Sequence, residues 1–430
     1  MKKGLILIFC LLLGLSWYTT ISDIVNKPKE FQKHLDSAAS YMEKEIYVDA
    51  IKEYESALEY EPNHMDTSLM LADAYLKIHE DYKFEDICTN LAEVYQDSEI
   101  PLDTLMNYYM EDERELSALK YVKDFLKKYP ENTGANKWMK KLEGSYEFLY
   151  CYYDSMEEIV FDNFVVSQGG MYGVVDETGE NILDPIYEEA NPFSENELAL
   201  VKFEGKYRYV DKDGLTRLVP DQSYEMVGML SSNRTVALKS NKYAYVNEKL
   251  ETVTDFAWEE LTLVEGGIGA GKQKGKWALL NENGEAQTEY IYDDVARDEN
   301  GFCSFNKRIF VKNKKKYQMI NTKAETIGTL KFDDAKPFYA GNLAAVCMKG
   351  KWGFVNMDGE LVVECKYDDA ESSNNGYAAV GVDGKWGYID ESGYMIIEPT
   401  FESAGTISSS GTAVVFVDEE WRLIQLNIFK

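Results

Sequence analysis

The chain reads as a multidomain α + β protein. An α-helical solenoid comes first, and an all-β repeat array of about eight units follows. The array is expected to close like a β-propeller, the alternative being an open β-solenoid. Three observations predict this. Over residues 28–148, apolar and small residues recur at helical spacing with charges between them. From Tyr153 to Phe401, an aromatic residue followed by an acid recurs at nearly constant intervals. The array also starts and stops in matching phase, with no evident cap for an exposed end, and ring closure removes sheet edges. The predicted divisions are 1–25, 26–148 and 149–430.

In the first segment, Met1–Lys3 is short and basic, Gly4–Trp17 is almost wholly apolar, and Tyr18–Asp23 is polar. This predicts a signal anchor, or alternatively a signal peptide. Small residues for a cleavage site are not evident, since Ser16 is followed by Trp17 and Tyr18. The expected location is the cell membrane, single-pass with extracytoplasmic domains, the alternative being secretion. Lys2 and Lys3 would stay inside, and only this segment would touch the membrane.

In the second segment, "HLDSAASYMEKEIYVDAIKEYESALEYEP" (34–62) places Ala38 and Tyr41 on one helix and Ala50, Tyr54 and Ala57 on the next, with Pro62 ending it. Small residues let two helices approach, and aromatics fill the gap. This stretch resembles a tetratricopeptide (TPR) repeat. A looser copy follows, with Ala72 and Tyr75 in register and Phe84, Cys88 and Leu91 on its second helix. A third copy, with Tyr109 and Ala118, runs to Pro130, and a final helix is expected around Asn136–Phe148. The resemblance implies a concave groove lined by first helices. Its partner-binding positions would be Leu35, Asp66, Leu69, Asp73, Asp103 and Asn107. Three are acids, which favours a basic ligand.

In the third segment, the aromatic–acid pairs are Tyr153-Asp154, Tyr187-Glu188, Tyr224-Glu225, Trp258-Glu259, Tyr292-Asp293, Phe332-Asp333, Tyr367-Asp368 and Phe401-Glu402. Their spacings are 34, 37, 34, 34, 40, 35 and 34 residues. A second aromatic anchor runs in step: Tyr172, Tyr207, Tyr243, Trp277, Tyr317, Trp352, Trp386 and Trp421. Four residues beyond it stands Asp or Asn, at 176, 211, 247, 281, 321, 356 and 390, while Gln425 breaks the series. Glycine follows at 179, 214, 284, 359 and 393. Asx side chains bond nearby backbone and glycine accepts positive φ, so this spacing predicts a tight hairpin turn. Alternating Val, Ile, Tyr and Trp on the flanks predict three or four short antiparallel strands per unit. The second anchors are expected to be buried between units. "GKWGFVNMDGELVVECKYDDAE" (350–371) and "GKWGYIDESGYMIIEPTFESAG" (384–405) resemble WG repeats, named for their Trp-Gly pair. The pair is intact at Trp352-Gly353 and Trp386-Gly387, nearly so at Tyr172-Gly173, and lost in the other units. The resemblance implies a binding or structural array and supplies no functional residues.

The net charge is −30, which disfavours nucleic acid and anionic lipid as partners. The histidines, His34, His64 and His79, all precede the array and exclude histidine-based catalysis or metal binding within it. His34 and His64 are expected at helix starts. The five cysteines after Cys10 lack metal or disulfide spacing and read as buried hydrophobes. "GGIGAGKQ" (266–273) resembles a phosphate loop, but Gln273 stands where a hydroxyl is needed, and the repeat phase makes the stretch a strand. "DKDG" (211–214) and "NMDGE" (356–360) resemble calcium loops but occupy the hairpin-turn slot.

These readings converge on a non-catalytic binding or scaffold protein of the bacterial cell envelope, without cofactor. The helical repeats would recognise a protein or peptide, and the β array would offer a second face. The alternative is carbohydrate binding by the array, with cell-wall glycan as the partner. An enzyme is not expected.

Overall fold

A computed structural model describes residues 27–221 and 223–430. The chain divides between Leu142 and Glu143 into two compact units. The segment read as a signal anchor or signal peptide, 1–25, lies outside the described residues. The membrane placement, with its secreted alternative, is corrected: among the described residues no helix is long and apolar enough to cross a membrane. The helix over 27–43, for instance, carries Lys27, Lys29, Glu30, Lys33 and Asp36.

The described part of the first unit has seven helices: α1 (27–43), α2 (Tyr47–Tyr60), α3 (Met65–Leu76), α4 (Asp81–Val94), α5 (Ile100–Glu111), α6 (Glu115–Lys128) and α7 (Thr133–Leu142). From α2 onward each packs on the next. Ala38, Ala50, Ala57, Ala72 and Ala118 are fully buried, so the small residues do sit where helices approach. Glu85 accepts hydrogen bonds from Tyr109 Oη and Arg114 Nη1, both at 2.8 Å, tying α4 to the end of α5. His64 caps α3 as expected, accepting from the Thr67 amide. His34 instead lies inside α1, with Nδ1 2.6 Å from Glu53. The helix expected to reach Phe148 ends at Leu142, and Tyr146–Leu149 is a strand. Gly144 explains the break. It is a poor helix former, and any Cβ there would collide with the Ile396 backbone.

The second unit is a closed ring of eight antiparallel sheets. The blades span Ser155–Tyr187, Glu189–Leu218, Met226–Asn247, Glu260–Asn281, Asp294–Ile320, Asp334–Tyr367, Asp369–Phe401 and Ser403–Leu426. The eighth is completed by Tyr146–Leu149, which pairs antiparallel with Glu420–Leu426, Tyr146 opposite Leu426 and Leu149 opposite Leu423. The two ends of the array thus share one sheet, and the open solenoid is set aside.

The core is a series of layers between neighbouring blades. Phe164 and Val166 pack toward Val414 and Leu423 of the eighth blade, while Val165, between them, packs toward Ala199 and Val201 of the second. Each blade therefore buries both faces, which is why its middle strands are almost continuously apolar. Polar ties cross the same layers. The buried hydroxyls of Tyr209, Tyr245 and Tyr388 donate to the carbonyls of Gly228, Thr262 and Gly405 in the next blade.

The repeat signals acquire distinct jobs. The aromatic of each aromatic–acid pair ends one blade, and the acid introduces the next. In six blades the buried aromatics Tyr187, Trp258, Tyr292, Phe332, Tyr367 and Phe401 stand opposite Tyr172, Tyr243, Trp277, Tyr317, Trp352 and Trp386. The acid accepts from a hairpin amide of its own blade, as Asp154 does from Gly169 and Asp368 from Asp383. It also pairs with the lysine preceding the second anchor of the previous blade: Lys276–Asp293, Lys316–Asp333, Lys351–Asp368 and Lys385–Glu402. The Asx residues make the expected turns. Asn356 Oδ1 accepts from the Asp358 and Glu360 amides, and Asp211 Oδ1 from those of Asp213 and Leu215. Both calcium-like stretches are therefore hairpin turns. Ile268–Gln273 is a strand, with Lys272 Nζ 2.6 Å from Glu260.

One expectation needs correction. Among the second anchors only Trp277 and Tyr317 are fully buried, and Tyr172, Tyr207, Tyr243, Trp352, Trp386 and Trp421 are half-buried. The first anchors are the more often buried of the two, all but Tyr153 and Tyr224 being so.

Candidate functional site

Two concave regions collect chemistry, one in each unit. In the helical unit, Asp66, Leu69 and Asp73 share a shallow groove of about 550 Å³ with Met42, Glu43, Tyr54 and Met70. Asp66, Leu69 and Asp73 lie on α3, three and four residues apart, so they share one face. Met70 is 49 % exposed. The other predicted groove positions go elsewhere. Leu35 packs against the buried cluster of Ala38, Ala50 and Tyr54. Asp103 accepts from the Trp138 indole Nε1 at 2.6 Å. Asn107 is exposed on α5.

The propeller holds the deeper site. In every blade the first strand lies at one edge of the sheet, and the residues that follow it face the axis. A cavity of about 430 Å³ is lined by such residues from the first, fifth, sixth, seventh and eighth blades: Glu157 and Glu158, Arg297–Asn300, Lys336 and Tyr339, Glu371, and Ser403–Thr406. A second, of about 310 Å³, receives residues from all eight blades, among them Asp162, Glu195, Ser231, Glu265, Phe302, Tyr339, Asn374 and Ser408. Asp298 and Tyr339 line both, so the two cavities are successive chambers of the axial channel. Tyr339 Oη reaches across to the Ile159 carbonyl at 3.1 Å.

The channel is rich in carboxylates. In the first chamber Lys336 pairs with Glu371 and, at 3.6 Å, with Asp369. Arg297 pairs with Glu260 and Asp294 at 2.9 and 3.1 Å. Burial, then the charges of Glu371 and Glu299, pushes Glu158 up to about 7, although the Thr406 amide and Lys336 act the other way. Burial followed by Asp298 and Glu195 pushes Glu265 up to about 7. Burial pushes Asp298 up to about 6 against three backbone amides that favour its charged form.

None of these residues was singled out by the sequence reading, yet one signal pointed at them. The longest interval of the repeat, 40 residues, spans the fifth blade. The extra length lies in 296–308, between the strands Asp294–Val295 and Ile309–Asn313. That loop delivers Arg297, Asp298 and Glu299 to the first chamber and Phe302 and Phe305 to the second. Insertions in a repeat array fall on one face, and here that face is the channel.

Cys88, Cys151, Cys303, Cys347 and Cys365 are free, and burial pushes the Cys88 and Cys303 thiols up to about 12.

The class of architecture is thus a closed eight-bladed β-propeller preceded by a helical unit. Four of its repeats match the family described as WG containing repeat, at residues 172–207, 319–352, 352–386 and 386–421, all within the propeller. No curated protein matches the chain. Among solved structures, the chain is similar to a eukaryotic initiation factor at 13 % identity and TM-score 0.43, over 61 % of this chain and 79 % of that one. It is also similar to Kluyveromyces lactis Hsv2, at 11 % identity and TM-score 0.34, over 63 % and 97 %. A third likeness is to the N-terminal domain of Nup159, at 11 % identity and TM-score 0.31, over 54 % and 86 %.

Proposed function

We propose that this chain is a non-catalytic scaffold that binds a basic protein or peptide segment through its helical unit, read as a TPR-like stack, with the propeller as a second interaction face. The α3 groove supports this reading. It combines Asp66, Asp73 and Glu43 with the thioethers of Met42 and Met70. Flexible Met side chains adapt to apolar residues of a ligand, and carboxylates on a chain of net charge −30 attract a basic one. A second reading, glycan binding by the propeller, is favoured by the aromatic strip at Phe148, Tyr150 and Tyr152. Tyr150 is 91 % exposed.

The test is fluorescence anisotropy of the full chain with labelled basic amphipathic peptides, at low and moderate salt, beside retention on cell-wall polymer. The Asp66→Asn/Asp73→Asn variant is expected to bind about fivefold or more weakly, with a smaller salt dependence. Equal binding by the variant would remove the groove from the reading. Retention on polymer without peptide binding would favour the glycan face.

A further inference from the structure

The first chamber of the axial channel holds more charge than the ring requires. Its two cations are engaged: Lys336 by Glu371 and Asp369, Arg297 by Glu260 and Asp294. Among the described residues, Glu157, Glu158 and Glu299 have no ion-pair partner. Glu157 and Glu299 are exposed and Glu158 is half-buried, and all three line the space of about 430 Å³. An independent observation points the same way. Thr406, only 6 % exposed, lines this chamber, and its Oγ1 has no hydrogen-bond partner. A buried hydroxyl left unsatisfied is costly, and here its residue lines the chamber together with Glu158. The half-buried indoles of Trp386 and Trp421 line the same chamber, and indole faces attract cations.

These features select the ligand's chemistry. Carboxylates call for positive charge, the hydroxyl calls for an N–H donor, and the indoles favour an organic cation. Among the described residues, no group of three or more His, Cys, Asp or Glu is placed to hold a metal ion. We propose that this chamber binds an organic cation with N–H donors, an ammonium or guanidinium group, seated among Glu157, Glu158 and Glu299 with Thr406 Oγ1 accepting one of its hydrogen bonds. The group belongs either to a free amine or to a lysine or arginine side chain of a peptide. The site is separate from the α3 groove and does not depend on it.

Titration calorimetry of the full chain tests this with spermidine, with N-acetyl-arginine amide, and with N-acetyl-glutamine amide as the neutral control. At least one cationic probe is expected to bind, and the neutral one not. Binding of spermidine alone assigns the site to free amines, and binding of the arginine probe alone assigns it to side chains. Glu158→Gln should weaken binding about tenfold or more, Thr406→Val several-fold, and Asp66→Asn/Asp73→Asn not at all. Thermal unfolding of each variant verifies the fold, and Thr406→Val keeps the test open should Glu158→Gln misfold. Absence of heat with both cationic probes, or binding undiminished in folded Glu158→Gln and Thr406→Val, overturns the proposal. Loss confined to the groove variant would also overturn it, while leaving the scaffold reading standing.

Discussion

Glu158 shows how one half-buried carboxyl couples the channel to pH. Its carboxyl, pushed up to about 7 by burial and by Glu371 and Glu299, joins Glu265 at about 7 and Asp298 at about 6. In an unfolded chain such groups titrate at about 4. Between those values the folded protein holds the extra protons, so its stability falls as pH rises from about 4 to about 7 and then levels off. The surface acids Asp293, Asp333 and Asp368 are lowered by their lysine partners and backbone amides. Their contribution is lost only at lower pH, below the ordinary carboxylate range. Glu158→Gln removes one of the raised groups. It is expected to raise the Tm at pH 7.5 and to flatten the fall between pH 5 and 7, as thermal unfolding across that range would show. An unchanged slope would mean that Glu158 does not titrate there. Such a residue was illegible in the sequence, where 75 acids look alike. Only the ring brings Glu158, Glu299 and Glu371 from three blades to one chamber.

At the scale of a blade, the Trp-Gly pair has a steric explanation. In the first, sixth and seventh blades, the glycines Gly173, Gly353 and Gly387 lie under a seven-residue outer strand with a register shift at that point. A Cβ at Gly173 or Gly353 would sit 2.5 Å from the outer strand's carbonyl oxygen, and one at Gly387 would collide with that of Ile397. Where the glycine is replaced, the outer strand is shorter: Ala244, Ala278 and Gln318 leave the third, fourth and fifth blades with isolated bridges there, Arg208 leaves the second with Thr216–Leu218, and the eighth, with Arg422, takes Tyr146–Leu149. Gly387→Ala is therefore expected to cost roughly 1–3 kcal/mol through overpacking. Hydrogen exchange should show protection lost across Met395–Phe401, and retained protection there would refute the steric account. Turns, strands and the aromatic ladder were legible because each uses local chemistry at fixed spacing. The burial of the second anchors was misread because sequence spacing does not say which of two facing aromatics lies under the other. Phe401 is almost wholly buried, whereas Trp386 opposite it is half-buried.

At the scale of the whole propeller, closure was legible from phase alone, but the latch was not. The sequence placed residues up to Phe148 on a helix, because a single strand ahead of the first repeat has no periodicity of its own. The structure uses Tyr146–Leu149 to finish the last blade, so the ring closes by pairing across the length of the array. Side chains reinforce the join. Tyr146 packs against Phe401, the Asn427 amide donates to the Ser145 carbonyl at 2.8 Å, and Cys151, Met156 and Phe164 share a buried cluster with Val414 and Leu423. Two kinds of contact thus hold the ring shut, a backbone ladder and an apolar layer, and they can be separated. Replacing Tyr146–Leu149 with Gly-Ser residues weakens the ladder, since glycine is costly to order in a strand, and takes only Leu149 from the apolar layer, leaving Cys151, Met156, Phe164, Val414 and Leu423 in place. The expected cost is roughly 2–4 kcal/mol, from one lost strand and its half-buried Tyr146 and Leu149. Amides of Glu420–Leu426 should exchange faster, while those of the fourth blade, on the far side of the ring, should not. If the whole propeller lost protection together, the latch would govern the ring as one cooperative unit. If Glu420–Leu426 stayed protected, the apolar layer would be sufficient for closure, and the idea that Tyr146–Leu149 acts as a latch would fail.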